Sequence, residues 1–169
     1  AYASVMLARE PGPEPLAKLL GGFSACDTSS LTNTAEDGSH IDWVMRRALH
    51  SARTTTAKIA LVKLHGTATA ANDQAESNGM RRTFAHALPP LCVLKPYLGH
   101  TLGACGLSET LLLLESLRQG ALPGCDYTEQ ALLPLAAGPL SVSAGSLLLA
   151  NYFGFGGNNA SLVLQGIPA

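Results

Sequence analysis

Between residues 41 and 49 the apolar side chains Ile41, Val44, Met45, Ala48 and Leu49 recur three and four positions apart, with Asp42, Arg46 and Arg47 between them. That spacing lines one side of a helix with apolar groups and leaves the charges on the other. The run at 59–64 is short and predicts a buried strand. A helix follows over about 73–86, then a strand at 91–94 and a long helix over about 102–119, from which Pro123 turns the chain away. Two further runs, 146–153 and 160–165, flank Gly154-Phe155-Gly156-Gly157 and predict a terminal hairpin. Near the start, 2–7 reads as a short strand stopped by Arg9-Glu10-Pro11-Gly12-Pro13. The apolar run at 16–24 gives way to a polar loop at 27–39. Strands alternating with helices and closing on two adjoining strands specify an α/β fold. The expected sheet is mixed, mostly parallel and five-stranded, with helices on its faces and an antiparallel hairpin at the end. No internal repeat or low-complexity linker interrupts the chain, so residues 1–169 read as one domain.

Composition changes the picture in one respect. Hydrophobic residues make up 47% of the chain and charged residues 14%, a thin supply of surface charge. Either part of the outside faces another protein layer, or this is a small apolar domain poor in charge. The formal net charge of −1 and the absence of a basic stripe argue against nucleic acid and acidic membrane surfaces. The apolar stretch at 111–114 is bounded by Glu109 and Glu115, too short to span a membrane. Cys26, Cys92, Cys105 and Cys125 form no CxxC, so no metal site is expected. They read as reduced thiols, and with no basic leader at 1–10 the expected compartment is the cytoplasm.

Three segments carry candidate chemistry, each at the end of a predicted strand, where α/β sheets bind ligands. His65-Gly66-Thr67-Ala68-Thr69 places a histidine directly after a strand. It is either a rigidly held proton donor or acceptor or a satisfied strand-end histidine with threonine turn formers. Lys95-Pro96-Tyr97-Leu98-Gly99-His100 leads through Gly103-Ala104-Cys105-Gly106 into the long helix. A histidine at a helix N-terminus is biased towards its neutral form, and Lys95 reinforces that bias; ordinary helix-start chemistry is the other reading. Phe153-Gly154-Phe155-Gly156-Gly157-Asn158-Asn159 is a glycine-rich turn, either a plain hairpin or one that holds an aromatic ring over a pocket.

In this order the three segments resemble the β-ketoacyl-acyl-carrier-protein synthases of the thiolase superfamily. The second half of those enzymes carries HGT-T, K-x4-H and GFGG-N motifs. They stand here as HGTAT at 65–69, KPYLGHTLGACG at 95–106 and FGFGGNN at 153–159. Asn72, Asp73, Glu76 and the closing motif look like those of the discrete fatty-acid or polyene synthases. The resemblance implies a thiolase-like half that takes part in decarboxylative condensation of malonyl-thioester with an acyl thioester. His65 and His100 would stabilise the enolate oxygen, with Lys95 orienting His100. Thr67 and Thr69 would lie by the pantetheine arm, and Phe155 would be a gating aromatic, with Phe153 and Gly156 beside the substrate. Asp73, Glu76 and Glu109 would be structural, holding helix starts or the lysine. No cofactor is implied beyond the phosphopantetheine of the acyl carrier protein that bears the substrates. The family's nucleophilic cysteine lies in the preceding half, and none of the four cysteines here has its setting; Cys105 reads as packing. The implied partners are therefore the acyl carrier protein and an N-terminal half or Cys-bearing subunit, in an enzyme that dimerises. A non-catalytic, chain-length-type partner subunit is the alternative, and a carrier-binding module a third.

Overall fold

Alternate residues of three neighbouring strands belong to two different cores. Val62, Leu149 and Val163 pack on one side of the sheet with Ile41, Met45, Leu49, Met80 and Phe84. Their immediate neighbours Leu61, Leu148 and Leu164 pack on the other side with Leu113 and Leu114. A period of two on a sheet covered on both faces produces this division. Each large apolar side chain so buried contributes about 1.5–3 kcal/mol. The computed structural model describes residues 1–30, 34–85, 87–125 and 131–166.

The strands are β1 (Ala17–Cys26), β2 (Ile59–Lys63), β3 (Leu91–Cys92), β4 (Leu147–Gly154) and β5 (Asn158–Gly166). The helices are α1 (Ser39–Ser51), α2 (Ala70–Phe84), α3 (Lys95–Leu98) and α4 (Cys105–Arg118). The strands lie in the order β1-β5-β4-β2-β3. Helices α1 and α2 cover one face and α4 the other. The α1–α2 crossing is close because Gly38, with φ 71°, caps α1 against the backbone of α2. A Cβ at that position would lie 2.2 Å from Gly79 N.

The expected five-stranded mixed sheet and its closing antiparallel hairpin are present. Its described pairings divide evenly, however: β1–β5 and β5–β4 are antiparallel, β4–β2 and β2–β3 parallel. Parallel pairs are no majority because β1 lies on the hairpin, where it must run antiparallel to β5. The expected strand at 2–7 does not form. Tyr2 is 97% exposed and Met6 90%, because no described residue pairs with this segment; an apolar run supplies no ladder of its own. The strand expected at 91–94 pairs only at Leu91 and Cys92 before the chain turns into α3. The helix expected over 102–119 begins as a 3₁₀ turn, Leu102–Ala104, before α4. The second expected helix runs over Ala70–Phe84, and His86 lies outside the described residues. Among the described residues no helix is long and apolar enough to cross a membrane.

Candidate functional site

Strands β2, β3 and β4 all end on one edge of the sheet, and the chain leaving each of them carries one of the three motifs. His65 follows β2 after a single residue, and its loop is clamped from α2. The buried carboxylate of Glu76 accepts the backbone N–H of His65 at 2.8 Å and that of Gly66 at 2.9 Å. Burial pushes the pKa of Glu76 up, against the pull of those two donors and of Lys63. Two non-glycine residues near the histidines hold left-handed backbone angles, Ala68 (φ 59°) and Leu102 (φ 51°). Strain of that kind persists only where surrounding structure enforces it.

Lys95 opens α3 and turns its side chain inward. Its Nζ meets His65 Nδ1 at 3.3 Å, Glu109 Oε1 at 2.9 Å and, more closely, the carbonyl oxygen of His65. An ammonium has three donors and no acceptor, so these contacts use all three. His65 Nδ1 must then present a lone pair, which leaves the imidazole proton on Nε2. Burial first, and then the charge of Lys95, push the His65 pKa down to about 2. His65 is thus held neutral, with one N–H to offer.

Beneath it lies a group of buried charges. Glu109 of α4 receives Lys95 and Cys105 Sγ (2.8 Å) on Oε1, while Lys63 Nζ forms an ion pair with Oε2. Lys63, the last residue of β2, is fully buried; it donates to the Asn151 carbonyl at 3.0 Å and sits 4.0 Å from the centre of the Tyr152 ring. Burial drives Lys63 down, and its own burial drives Glu109 up, but the pull of Lys63 keeps the carboxylate below its usual value. Burial also raises the Cys105 thiol, and pushes Cys92 up to about 12. Neither is activated as a thiolate.

The structure brings His65, His100, Lys95 and Phe153 together. The His100 ring lies 5.9 Å from that of His65 at 84°, and the Phe153 ring 5.5 Å from it. His100 is exposed, and its Nδ1 accepts the backbone N–H of Leu102 at 3.2 Å. Thr67 and Thr69 are exposed and share a hydrogen bond between their hydroxyls at 2.9 Å. Gly156 lies in the turn between β4 and β5 with φ 77° and accepts Cys26 Sγ at 2.9 Å. The backbone of Phe155 belongs to this turn; its side chain lies outside the described residues.

Two expectations need correction. Lys95 orients His65 rather than His100, because its side chain runs inward to Glu109 while Gly99 (φ 72°) turns His100 out to the surface. Nor does His100 sit on the N-terminus of the long helix: the 3₁₀ turn intervenes and α4 begins only at Cys105. Glu109 holds the lysine, as expected. Lys63 was missed, although a charge inside the apolar run 59–64 demands a buried partner. Asp27 was missed too. Its buried carboxylate accepts Ser29 N, Thr34 Oγ1 and Ala35 N within 2.9 Å, and its own N–H donates to the Gly157 carbonyl at 2.8 Å. Burial opposes its ionisation, but those donors hold the carboxyl far below the usual range. The glycine turn beside the histidines is thereby fastened to the end of β1. Among the described residues no three or more of His, Cys, Asp and Glu converge on a metal position.

Comparison with known proteins gives the family of the chain. Residues 16–126 match the model of the β-ketoacyl synthase C-terminal domain. The chain is 32% identical over 168 residues to 3-oxoacyl-[acyl-carrier-protein] synthase 2 of Vibrio cholerae, covering 94% of this chain and 40% of the relative. Among solved structures it resembles a β-ketoacyl synthase from Burkholderia phymatum, at 33% identity and a TM-score of 0.80, covering 90% of this chain and 38% of that one. It also resembles a ketosynthase in complex with its chain length factor from Xenorhabdus doucetiae, at 33% identity and a TM-score of 0.74, covering 94% and 40%. The chain thus spans about two fifths of the length of these relatives. It belongs to the β-ketoacyl synthase family, where it corresponds to the C-terminal domain.

Proposed function

We propose that this chain supplies the histidine half of the active site of a β-ketoacyl-acyl-carrier-protein synthase, and that the cysteine which accepts the acyl chain comes from a separate half or subunit. The observation that carries this reading is the contact of Lys95 Nζ with His65 Nδ1. It makes His65 a neutral N–H donor beside a second histidine, the arrangement needed where negative charge develops on an oxygen. When the malonyl thioester loses carbon dioxide, the electron pair of the broken C–C bond passes into an enolate, and its oxygen accepts from His65 Nε2–H and His100. The enolate carbon then attacks the acyl thioester on the cysteine; the new C–C bond forms as the cysteine thiolate leaves. His65 and His100 are the catalytic residues in this scheme and Lys95 is a positioning residue. Thr67 and Thr69 lie where the pantetheine arm of the acyl carrier protein would enter, and Phe153, Phe155 and Gly156 flank the acyl chain.

The test uses the complete synthase, this chain together with its cysteine-bearing half. His65→Ala and His100→Ala are each expected to slow condensation by about 10²–10³-fold, while acyl loading of the cysteine continues. Unchanged product formation in both variants would overturn the reading in favour of a chain-length-type partner that shapes the cavity without doing chemistry.

A further inference from the structure

Lys63 takes no part in the reaction as described, yet it is the most completely buried cation in the described structure, with a relative exposure of 0%. Three groups surround its ammonium: Glu109 Oε2 as an ion pair, the Asn151 carbonyl as a hydrogen-bond acceptor and the face of the Tyr152 ring. Burying an ammonium costs several kcal/mol unless it is fully partnered, so its place on β2 needs a reason beyond packing. The reason lies in what Glu109 would otherwise do. Without Lys63, the undivided charge of Glu109 would act on Lys95 alone. Here the second oxygen is taken by Lys63, so Lys95 holds only Oε1 and keeps its remaining donors on the carbonyl and Nδ1 of His65.

We infer that Lys63 is a positioning residue: by occupying Glu109 Oε2 it keeps Lys95 on His65 Nδ1 and so fixes His65 as the Nε2–H tautomer. The groups that face this cluster are Lys95 from α3, Glu76 from α2, Glu109 and Cys105 from α4, Cys92 from β3, Tyr152 from β4 and His100 from the loop after α3. Two ammonium and two carboxylate groups balance around His65. Removing Lys63 alone leaves both carboxylates with a single cation; removing the charge of Glu109 as well restores the balance and releases Lys95 to His65.

The role serves the condensation proposed above, so one readout is chosen that needs no turnover. The full-length protein containing this chain is labelled with ¹⁵N-imidazole histidine, and the His65 signals, assigned by loss in His65→Asn, are followed at pH 7. The unsubstituted protein is expected to show one neutral Nε2–H form. Lys63→Met is expected to show a mixture, with Nδ1–H or protonated imidazole present, and Lys63→Met with Glu109→Gln to return to the single form. In the complete synthase the same single substitution should lower kcat about tenfold with KM for the carrier-bound substrate unchanged, and the double variant should recover most of that loss. A His65 signature unaltered in Lys63→Met overturns the inference. So does a double variant no closer to the unsubstituted protein than the single one, the result of a purely structural lysine. If Lys63→Met fails to fold, the balanced double variant must fold and keep the Nε2–H form, or the inference falls. Absence of condensation in the unsubstituted synthase, with the tautomers behaving as stated, would sink the proposed reaction and leave the role of Lys63 standing.

Discussion

At the scale of the residue, His65 couples the site to stability. Its folded pKa, about 2 against an ordinary 6.5, means that below pH 6.5 the unfolded chain takes up a proton that the folded chain refuses. The contribution is complete above pH 6.5 and is lost as pH falls from there towards 2, by at most about 1.4 kcal/mol per unit. Asp27 and the other depressed carboxylates act in the same direction, but below pH 4. Denaturant unfolding at pH 7.5 and 5.5 is therefore expected to show a loss about 1 kcal/mol larger in the unsubstituted protein than in His65→Asn. Equal losses would mean that His65 is not held neutral. This residue was legible in the sequence, since HGTAT directly follows a predicted strand. The partner of its Nδ1 was not: Lys95 and His100 lie five residues apart in one motif, and only the fold shows that the lysine turns away from its neighbour towards Glu109. Lys63 was hidden for a related reason, because periodicity treats a buried strand as apolar throughout and does not register the single charge that ends it.

At the scale of the element, the turn joining β4 to β5 is fixed from outside the hairpin. Gly157, with φ 74°, lies so close to the end of β1 that a Cβ there would stand 1.9 Å from the Asp27 carbonyl oxygen. Gly157→Ala is expected to cost about 1–3 kcal/mol through overpacking and to lower the thermal midpoint by several degrees. Gly154→Ala, whose added carbon meets nothing nearer than 3.7 Å, should change it little. Equal effects of the two would show that β1 does not fasten the turn. In the complete synthase Gly157→Ala should also disturb condensation if, as proposed, the neighbouring Gly156 flanks the acyl chain. The hairpin and its glycines were readable from the chain. The clamp was not, because Asp27 and Gly157 are 130 residues apart and a polar stretch after a strand reads simply as loop.

At the scale of the whole molecule, helices and strands were legible from their periods, whereas the order of strands in the sheet was not. The segment at 2–7 has the look of a strand and no neighbour among the described residues to pair with, and β1 pairs with β5, distant in sequence. Removing residues 1–10 is accordingly expected to leave the melting midpoint within about a degree of its starting value, as loss of exposed surface residues usually does. A clear fall in differential scanning fluorimetry would show that the segment is held after all.

The strand order also bears on how the molecule is made. Strands β4 and β5 lie in the interior of the sheet but are the last of the five described strands to leave the ribosome, and β5, the described partner of β1, appears only then. At 5–20 residues per second, the interval between Cys26 and Asn158 is on the order of ten seconds. Through that time β1 is a bare edge and β2 lacks the neighbour that will bury it. Within this domain the sheet is completed only when the hairpin enters, and until then its early strands carry the aggregation hazard of unpaired edges.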